Sequence, residues 1–310
     1  MGKIILFYKY VTISYPDQIR KWQHRLCKEL KLTGRIIIAH EGINGTLGGE
    51  TDALERYKQE MQNHIFFTSI DFKESPGAQD YFPRLRIVVK NEITCLGLDT
   101  KKIRAEMGGE HLTPAKSHEL LSNPPKDLVI LDTRNEYESR IGAFNNAIKA
   151  DIQYFRELPN YIDEHLETFK DKEVLMYCTG GIRCERASAY LKSKNVAKKV
   201  YQIEGGIHRY VEQFPEGFFR GKNYVFDGRI AVNVNNDILT TCEHCLKPFD
   251  EFTNCLNASC NKKFISCPNC IEVFNNTCCQ KCCTLVAKKL VPIRVKPNKI
   301  VLEKNMACTL

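Results

Sequence analysis

Val174-Leu-Met-Tyr-Cys178-Thr-Gly180-Gly181-Ile-Arg183-Cys184-Glu-Arg186 decides the fold. Its first four residues form a continuous apolar run with β-branched and aromatic members, which reads as a buried strand. The two glycines allow a turn, and Arg183 to Lys194 carries a helical pattern. A cysteine between a strand end and a helix start faces a fan of backbone N–H groups and the positive end of a helix dipole. Such a setting favours the thiolate and lowers a cysteine pKa to roughly 3.5–7.5. An inert buried cysteine needs neither a Gly-Gly turn nor flanking arginines, so Cys178 is the candidate nucleophile.

Outward from this stretch, strand and helix signals alternate. Asp127–Leu131 reads as a buried strand ending in Asp132-Thr-Arg134, and Tyr154–Phe169 as helical. Lys199–Ile203 reads as a strand followed by Glu204-Gly-Gly206 and a helix through Phe214. Upstream, Thr113 is a candidate N-cap with Pro114 at the first helical position. Alternation of this kind implies a parallel sheet covered on both faces, with ligands at the carboxyl ends of its strands. Asp132, Arg134, Cys178 and Glu204–Gly206 all fall at such ends. Arg134 and Arg183 are therefore either forks for an anion beside Cys178 or halves of buried ion pairs. Arg186 lies three residues beyond Arg183 and shares its face. Asp132 caps the loop or pairs with an arginine, and Cys184 either resolves an intermediate on Cys178 or packs. Thr179, Gly180, Gly181 and Ile182 complete the loop as candidate anion ligands.

Residues 1–97 read as an α+β module of order β-α-β-β-α-β, which suggests a ferredoxin-like sandwich. Ile4–Ile13 and Gly34–Ala39 are strands, Asp17–Lys31 and Thr51–Asn63 helices, and Ser69–Lys73 and Arg84–Lys90 further strands. Asn44-Gly45 reads as a turn, with Glu41 beside it satisfying backbone. Asp99–His111 reads as a linker, and residues 112–221 hold the parallel-sheet domain.

Fifteen cysteines are unevenly spread, ten of them between Cys242 and Cys283. In a reducing compartment that clustering reads as metal binding. Eight thiolates would make two closed tetrahedral Zn²⁺ sites. The expected ligands are Cys242, Cys245, Cys255, Cys260, Cys267, Cys270, Cys279 and Cys282, although spacing alone does not choose among Cys278, Cys279, Cys282 and Cys283. His244 is read as an exposed bystander. Apolar side chains are few in 238–287, so metal binding carries much of its folding free energy. The basic tail 288–310 reads as a solvated end.

The chain has 310 residues, 43% of them hydrophobic, and a formal charge of +8. Two tetrathiolate zinc sites would lower that charge to about +4, compatible with a nucleic-acid substrate. With no apolar run of eighteen residues and no secretory h-region, a membrane span is excluded and a cytoplasmic location expected. Gly180-Gly181 is not a G-x-G-x-x-G fingerprint, so no flavin or NAD site is seen. An arginine five residues after the cysteine, not six, speaks against a cysteine phosphatase.

The Cys178 stretch resembles the active-site loop of the rhodanese family, which cradles a persulfide or another anion with backbone amides. The wider set narrows the resemblance. Glu41-Gly-Ile-Asn-Gly-Thr46, Asp132-Thr-Arg-Asn-Glu136, Phe155-Arg-Glu-Leu-Pro159, Tyr177 to Glu185, Gly205-Gly-Ile207 and Gly221-Lys-Asn-Tyr-Val-Phe-Asp227 stand in this order before a cysteine-rich end. Together they resemble the bacterial rhodanese-like tRNA uridine(34) hydroxylases. The resemblance implies an acylphosphatase-like first domain, a rhodanese-like second and a zinc-binding third. It also implies O₂-dependent hydroxylation of the wobble uridine in the tRNA anticodon loop, with Cys178 matching the active-site residue and Cys184 a second cysteine of the motif. The electron donor and any protein partner are not readable from the residues. Gly228, where an acidic residue is expected, and the doubled cysteines near 280 depart from the family pattern. Rhodanese-type sulfur transfer through a Cys178 persulfide is the alternative chemistry.

Overall fold

A computed structural model describes residues 2–77 and 82–294. The chain packs as two compact units, Met1–Asn235 and Asn236–Leu310.

The first unit opens with β1 (Gly2–Tyr10), α1 (Pro16–Glu29), β2 (Thr33–Ala39), β3 (Gly42–Glu50), α2 (Thr51–Asn63), β4 (Asp71–Pro76) and β5 (Leu85–Val89). The sheet order β4-β1-β3-β2-β5 places β3 centrally, with β5 parallel to β2. This is the expected acylphosphatase-like sandwich. Ile5, Phe7, Ile36, Ile38, Leu54 and Tyr57 fill the core between sheet and helices. One local reading fails. Asn44-Gly45 is no turn but lies mid-strand in β3, and the reversal falls at His40-Glu41. The glycine serves packing instead: a Cβ on Gly45 would meet the Phe7 ring at 2.4 Å.

The same unit continues with β6 (Glu110–Leu112), α3 (Pro114–Ser122), β7 (Leu128–Asp132), α4 (Glu136–Ser139), β8 (Gly142–Phe144), β9 (Ile148–Lys149), α5 (Leu158–Glu164), α6 (Leu166–Phe169), β10 (Glu173–Tyr177), α7 (Ile182–Ser193), β11 (Lys199–Ile203), α8 (Gly206–Gln213), β12 (Phe219–Tyr224) and β13 (Ala231–Asn233). The parallel sheet runs β6-β11-β10-β7-β9, so β10 is its middle strand. Alternation along β10 sends Val174 and Met176 to one core and Leu175 and Tyr177 to the other, as a strand covered on both faces requires. Thr113 caps α3 by accepting from the Lys116 amide at 3.3 Å. The expected helix Tyr154–Phe169 is broken into a 3₁₀ turn, α5 and α6, with non-helical backbone at His165. The expected linker ends inside β6, and its middle is pinned by Arg186 as described below.

In the second unit, β14 (Phe252–Asn254) pairs with β15 (Lys263–Ile265), followed by α9 (Pro268–Val273) and α10 (Gln280–Ala287). Of the tail, Lys296, Lys299 and Lys304 lie outside the described residues. No helix among the described residues is long and apolar enough to cross a membrane.

Candidate functional site

The loop between β10 and α7 is locked from behind. Gly181 has φ +97° and Gly205 φ +69°, backbone that glycine adopts without penalty. The Ile207 and His208 amides at the start of α8 donate to the Cys178 and Thr179 carbonyls at 2.9 and 3.0 Å. A Cβ on Gly206 would meet the Cys178 carbonyl at 2.4 Å and the Gly181 nitrogen at 2.7 Å. The Gly205-Gly206 corner is thus the buttress that lets two loops interlock.

Within this frame Cys178 is fully buried, and the Gly181 amide donates to its Sγ at 3.2 Å. Burial alone pushes its pKa up. The Cys184 thiol, the Arg183 charge and the Arg183 and Cys184 amides outweigh that and bring it down to about 5. Cys184 moves the other way, raised by burial and by its anionic neighbour. Its Sγ also lies 3.6 Å from Thr133 Oγ1, which donates to the Tyr177 carbonyl. The pair is therefore one thiolate and one thiol at neutral pH.

The arginines are not free forks. Arg134 is fully buried and chelated by Asp132 through Nε and Nη2, with Nη2 also donating to the Gly142 carbonyl at 2.6 Å. Tyr177 Oη adds a 2.7 Å bond to the same carboxylate. Arg183 is held by both oxygens of the buried Glu138 at 2.6 and 2.7 Å, and Thr179 Oγ1 leans on that carboxylate at 3.4 Å. Arg186, also fully buried, bonds Glu92, lies 3.6 Å from Glu41 and donates to the Leu98 and Ile103 carbonyls. The expected anion-binding roles of Asp132, Arg134 and Arg186 are therefore corrected: each is half of a buried ion pair, because a guanidinium sealed from water keeps its nearest carboxylate. Arg183 reaches Cys178 by charge, not as a ligand to substrate. Ile182 offers its carbonyl to Tyr10 Oη at 3.3 Å.

The N-terminal module covers the loop. A Cβ on Gly180 would strike Leu6 at 2.9 Å, and one on Gly181 would strike Tyr8 Oη at 2.8 Å. Tyr8 Oη donates to Glu185 at 2.9 Å, and Glu185 also bonds His111 and Gln202. Beyond Arg186, Glu41 accepts from the Ile93 amide and Asn44 donates to the Ile93 carbonyl. Sequence reading missed Tyr8, Glu138, Glu185 and His111. One signal was present: Tyr8 and Tyr10 share the β1 face opposite the core residues Ile5 and Phe7, and an aromatic second face signals a second cover.

In the second unit two sets of four sulfurs gather, each within 4.8 Å: Cys242, Cys245, Cys267, Cys270 and Cys255, Cys260, Cys278, Cys282. Cys278 replaces the expected Cys279, which sits exposed at the N-cap of α10. The Cys245–Cys267 and Cys260–Cys278 sulfur pairs are 3.7 and 3.6 Å apart, against about 3.8 Å for a tetrahedron of 2.3 Å Zn–S bonds. The Cys267 amide donates to Cys242 Sγ and Asn257 Nδ2 to Cys282 Sγ, both at 3.4 Å, as thiolate ligands favour. The donor sets fit structural Zn²⁺ with no open position. His244 is outside both, half-buried and stacked 3.9 Å from Phe274.

Comparison with known proteins agrees with this geometry. Residues 2–93 match the UPF0176 acylphosphatase like domain, 113–213 the Rhodanese-like domain and 220–283 the Rhodanase C-terminal family. The chain is 38% identical over 290 residues to the tRNA uridine(34) hydroxylase of Corynebacterium kroppenstedtii, covering 91% of this chain and 98% of that one. To the protein of that name from Corynebacterium jeikeium it is 37% identical over 298 residues, 93% and 96% of the two chains. To that of the aster yellows witches'-broom phytoplasma it is 37% identical over 290 residues, 90% and 91%.

Proposed function

The chain belongs to the tRNA uridine(34) hydroxylase family, and on that premise we propose that it converts the wobble uridine of tRNA to 5-hydroxyuridine with O₂ as co-substrate. The C5 hydrogen gives way to a hydroxyl, and two electrons from an external donor with two protons reduce the second oxygen atom to water. The observation that carries the reading is the Cys178 thiolate, cradled by the Gly181 amide and lowered to about 5 although fully buried. Cys178 is the reacting side chain in this reading. Cys184 supplies a hydrogen bond that keeps it anionic, and Arg183 a fixed positive charge nearby. Leu6 and Tyr8 exclude water from the loop. The zinc tetrads would brace the C-terminal unit and supply no catalytic step. The substrate is the anticodon loop of tRNA, and the net charge of +8 suits a polyanion.

Nucleoside mass spectrometry of tRNA from cells lacking this activity, with and without the gene, tests the reading. The unaltered chain restores 5-hydroxyuridine and Cys178→Ser does not. Product retained by the serine variant overturns the role of the thiolate. Unchanged 5-hydroxyuridine with thionucleosides lost in the absence of the gene points instead to rhodanese-type sulfur transfer.

A further inference from the structure

A narrow cleft opens beside the active-site loop inside the first unit. Leu6 and Lys73 of the N-terminal sheet form one wall, Val225 and Phe226 after β12 the other, and Thr179 with His208 the inner end. The outer end is tied down by Arg229, which chelates Asp227 and donates to the Pro76 carbonyl at 3.1 Å. Thr179 is the residue next to Cys178, so the inner end abuts the thiolate loop. Both walls are mainly apolar, and the polar atoms lie along one edge.

Phe226 is the unusual member. It is 57% exposed, although a large aromatic gains most by burial. Its ring is nevertheless fixed, edge-to-face with Tyr224 at 5.3 Å and 5.7 Å from the Arg183 guanidinium. An exposed ring held in place beside an apolar slot is the arrangement with which proteins stack a splayed-out RNA base. Enzymes acting on a nucleobase read the extruded ring by its flat face and its polar edge. Here the flat face has Phe226 and the polar edge has Lys73 and His208. Lys73 is fixed by a 2.8 Å bond to Asp71 beneath the Tyr8 ring.

We propose that this cleft is the slot for the extruded wobble uracil, stacked on Phe226 with its polar edge toward Lys73 and His208. The proposal rests on the tRNA reading above and assigns the N-terminal module one wall of the substrate site. It also gives a reason for two sheets docking over one loop: neither alone makes a slot.

The test is binding of a fluorescent anticodon stem-loop to the full chain, with uridine or an abasic site at position 34. Phe226→Leu keeps apolar bulk without a π-face, and Phe226→Tyr keeps the face. The abasic loop and Phe226→Leu each weaken binding roughly tenfold, the two together weaken it no further, and Phe226→Tyr binds like the unaltered chain. Losses that multiply to roughly a hundredfold, a leucine variant that binds as tightly as phenylalanine, or a tyrosine variant as weak as leucine each overturn the slot. Coupling between Phe226 and base 34 in a chain that forms no 5-hydroxyuridine would remove the hydroxylase reading and leave the slot standing.

Discussion

The two units keep cysteine sulfur anionic by opposite means. Around Cys178 the protein does it alone, by burying the sulfur completely and then surrounding it with an amide, a thiol and a fixed guanidinium. In the C-terminal unit eight thiols are brought together with few apolar side chains around them, the buried cluster being little more than Cys255, Phe264 and Cys282. There a metal has to supply what the amides supply at Cys178. The ligand order sharpens the contrast. The pairs alternate along the chain between the two tetrads, first Cys242 and Cys245, then Cys255 and Cys260, then Cys267 and Cys270, then Cys278 and Cys282. Each ion therefore ties segments separated by ligands of the other, and the two sites stand or fall together.

The largest effect follows from that interleaving. Removal of zinc by a strong chelator unfolds the C-terminal unit, since structural zinc supplies about 10–16 kcal/mol per site. The thiolate absorbance of Cys178 persists, because none of its stabilising groups lies beyond residue 235. Metal analysis gives two zinc ions per chain, and Cys270→Ser lowers the content by at least one. Loss of the Cys178 thiolate on chelation breaks the comparison, for it makes the first unit depend on the second.

The next effect lies in the buried ion pairs. Glu138→Ala leaves the Arg183 guanidinium unpaired in a fully enclosed site. Breaking such a pair costs about 3–5 kcal/mol, read as a drop in the denaturation midpoint of the first unit. A loss below about 1 kcal/mol shows that water reaches Arg183 and that the cradle is wetter than described.

How much of this was legible in the sequence depends on range. The strand–Cys178–helix frame, the parallel sheet and the order of the first module follow from local periodicity, and so were readable. The partners of the arginines were not. Arg183 meets Glu138 and Arg186 meets Glu92 across separations that no local pattern encodes, so a fork for anions and half of an ion pair look alike in one dimension. Cys278 and Cys279 differ only in which way the chain turns into α10, which is set by packing. The Asn44-Gly45 dipeptide misled because its glycine answers to the Phe7 ring and not to a turn.

A smaller effect concerns the coupled thiols. Cys184→Ala removes a hydrogen bond to a charged sulfur, worth about 1.5–3 kcal/mol, and raises the Cys178 titration midpoint from about 5 by about one to two pH units. Ultraviolet thiolate absorbance reads it directly, and Cys184→Ser, which keeps a donor, moves it less. The sign for stability is fixed. A thiol whose pKa is lower folded than unfolded stabilises the fold fully above its ordinary value near 9. The contribution shrinks as pH falls and vanishes below the folded midpoint near 5. The difference in stability between the unaltered chain and Cys178→Ser therefore grows with pH from 5 to 9. A pH-independent difference shows that the thiolate forms equally in the unfolded chain.

The smallest effect tests the cover that the C-terminal unit lacks. Tyr8→Phe keeps the ring over Gly181 and removes only the 2.9 Å bond to Glu185. It costs about 1 kcal/mol of stability, because Glu185 retains His111 and Gln202. The bonds from Tyr8 and Glu185 to His111 also predict a titration signature. His111 is half-exposed, and its hydrogen bond to Glu185 raises its pKa. A histidine raised by a partner contributes stability below its unfolded pKa and loses it as pH rises through the folded one. Losing Tyr8 Oη leaves His111 as the remaining charged partner of Glu185, so Tyr8→Phe moves the His111 titration further up. Nuclear magnetic resonance of the His111 ring protons follows it. An unmoved titration shows that Tyr8 Oη and His111 do not share the Glu185 carboxylate, and that the N-terminal module rests on the loop by packing and Arg186 alone.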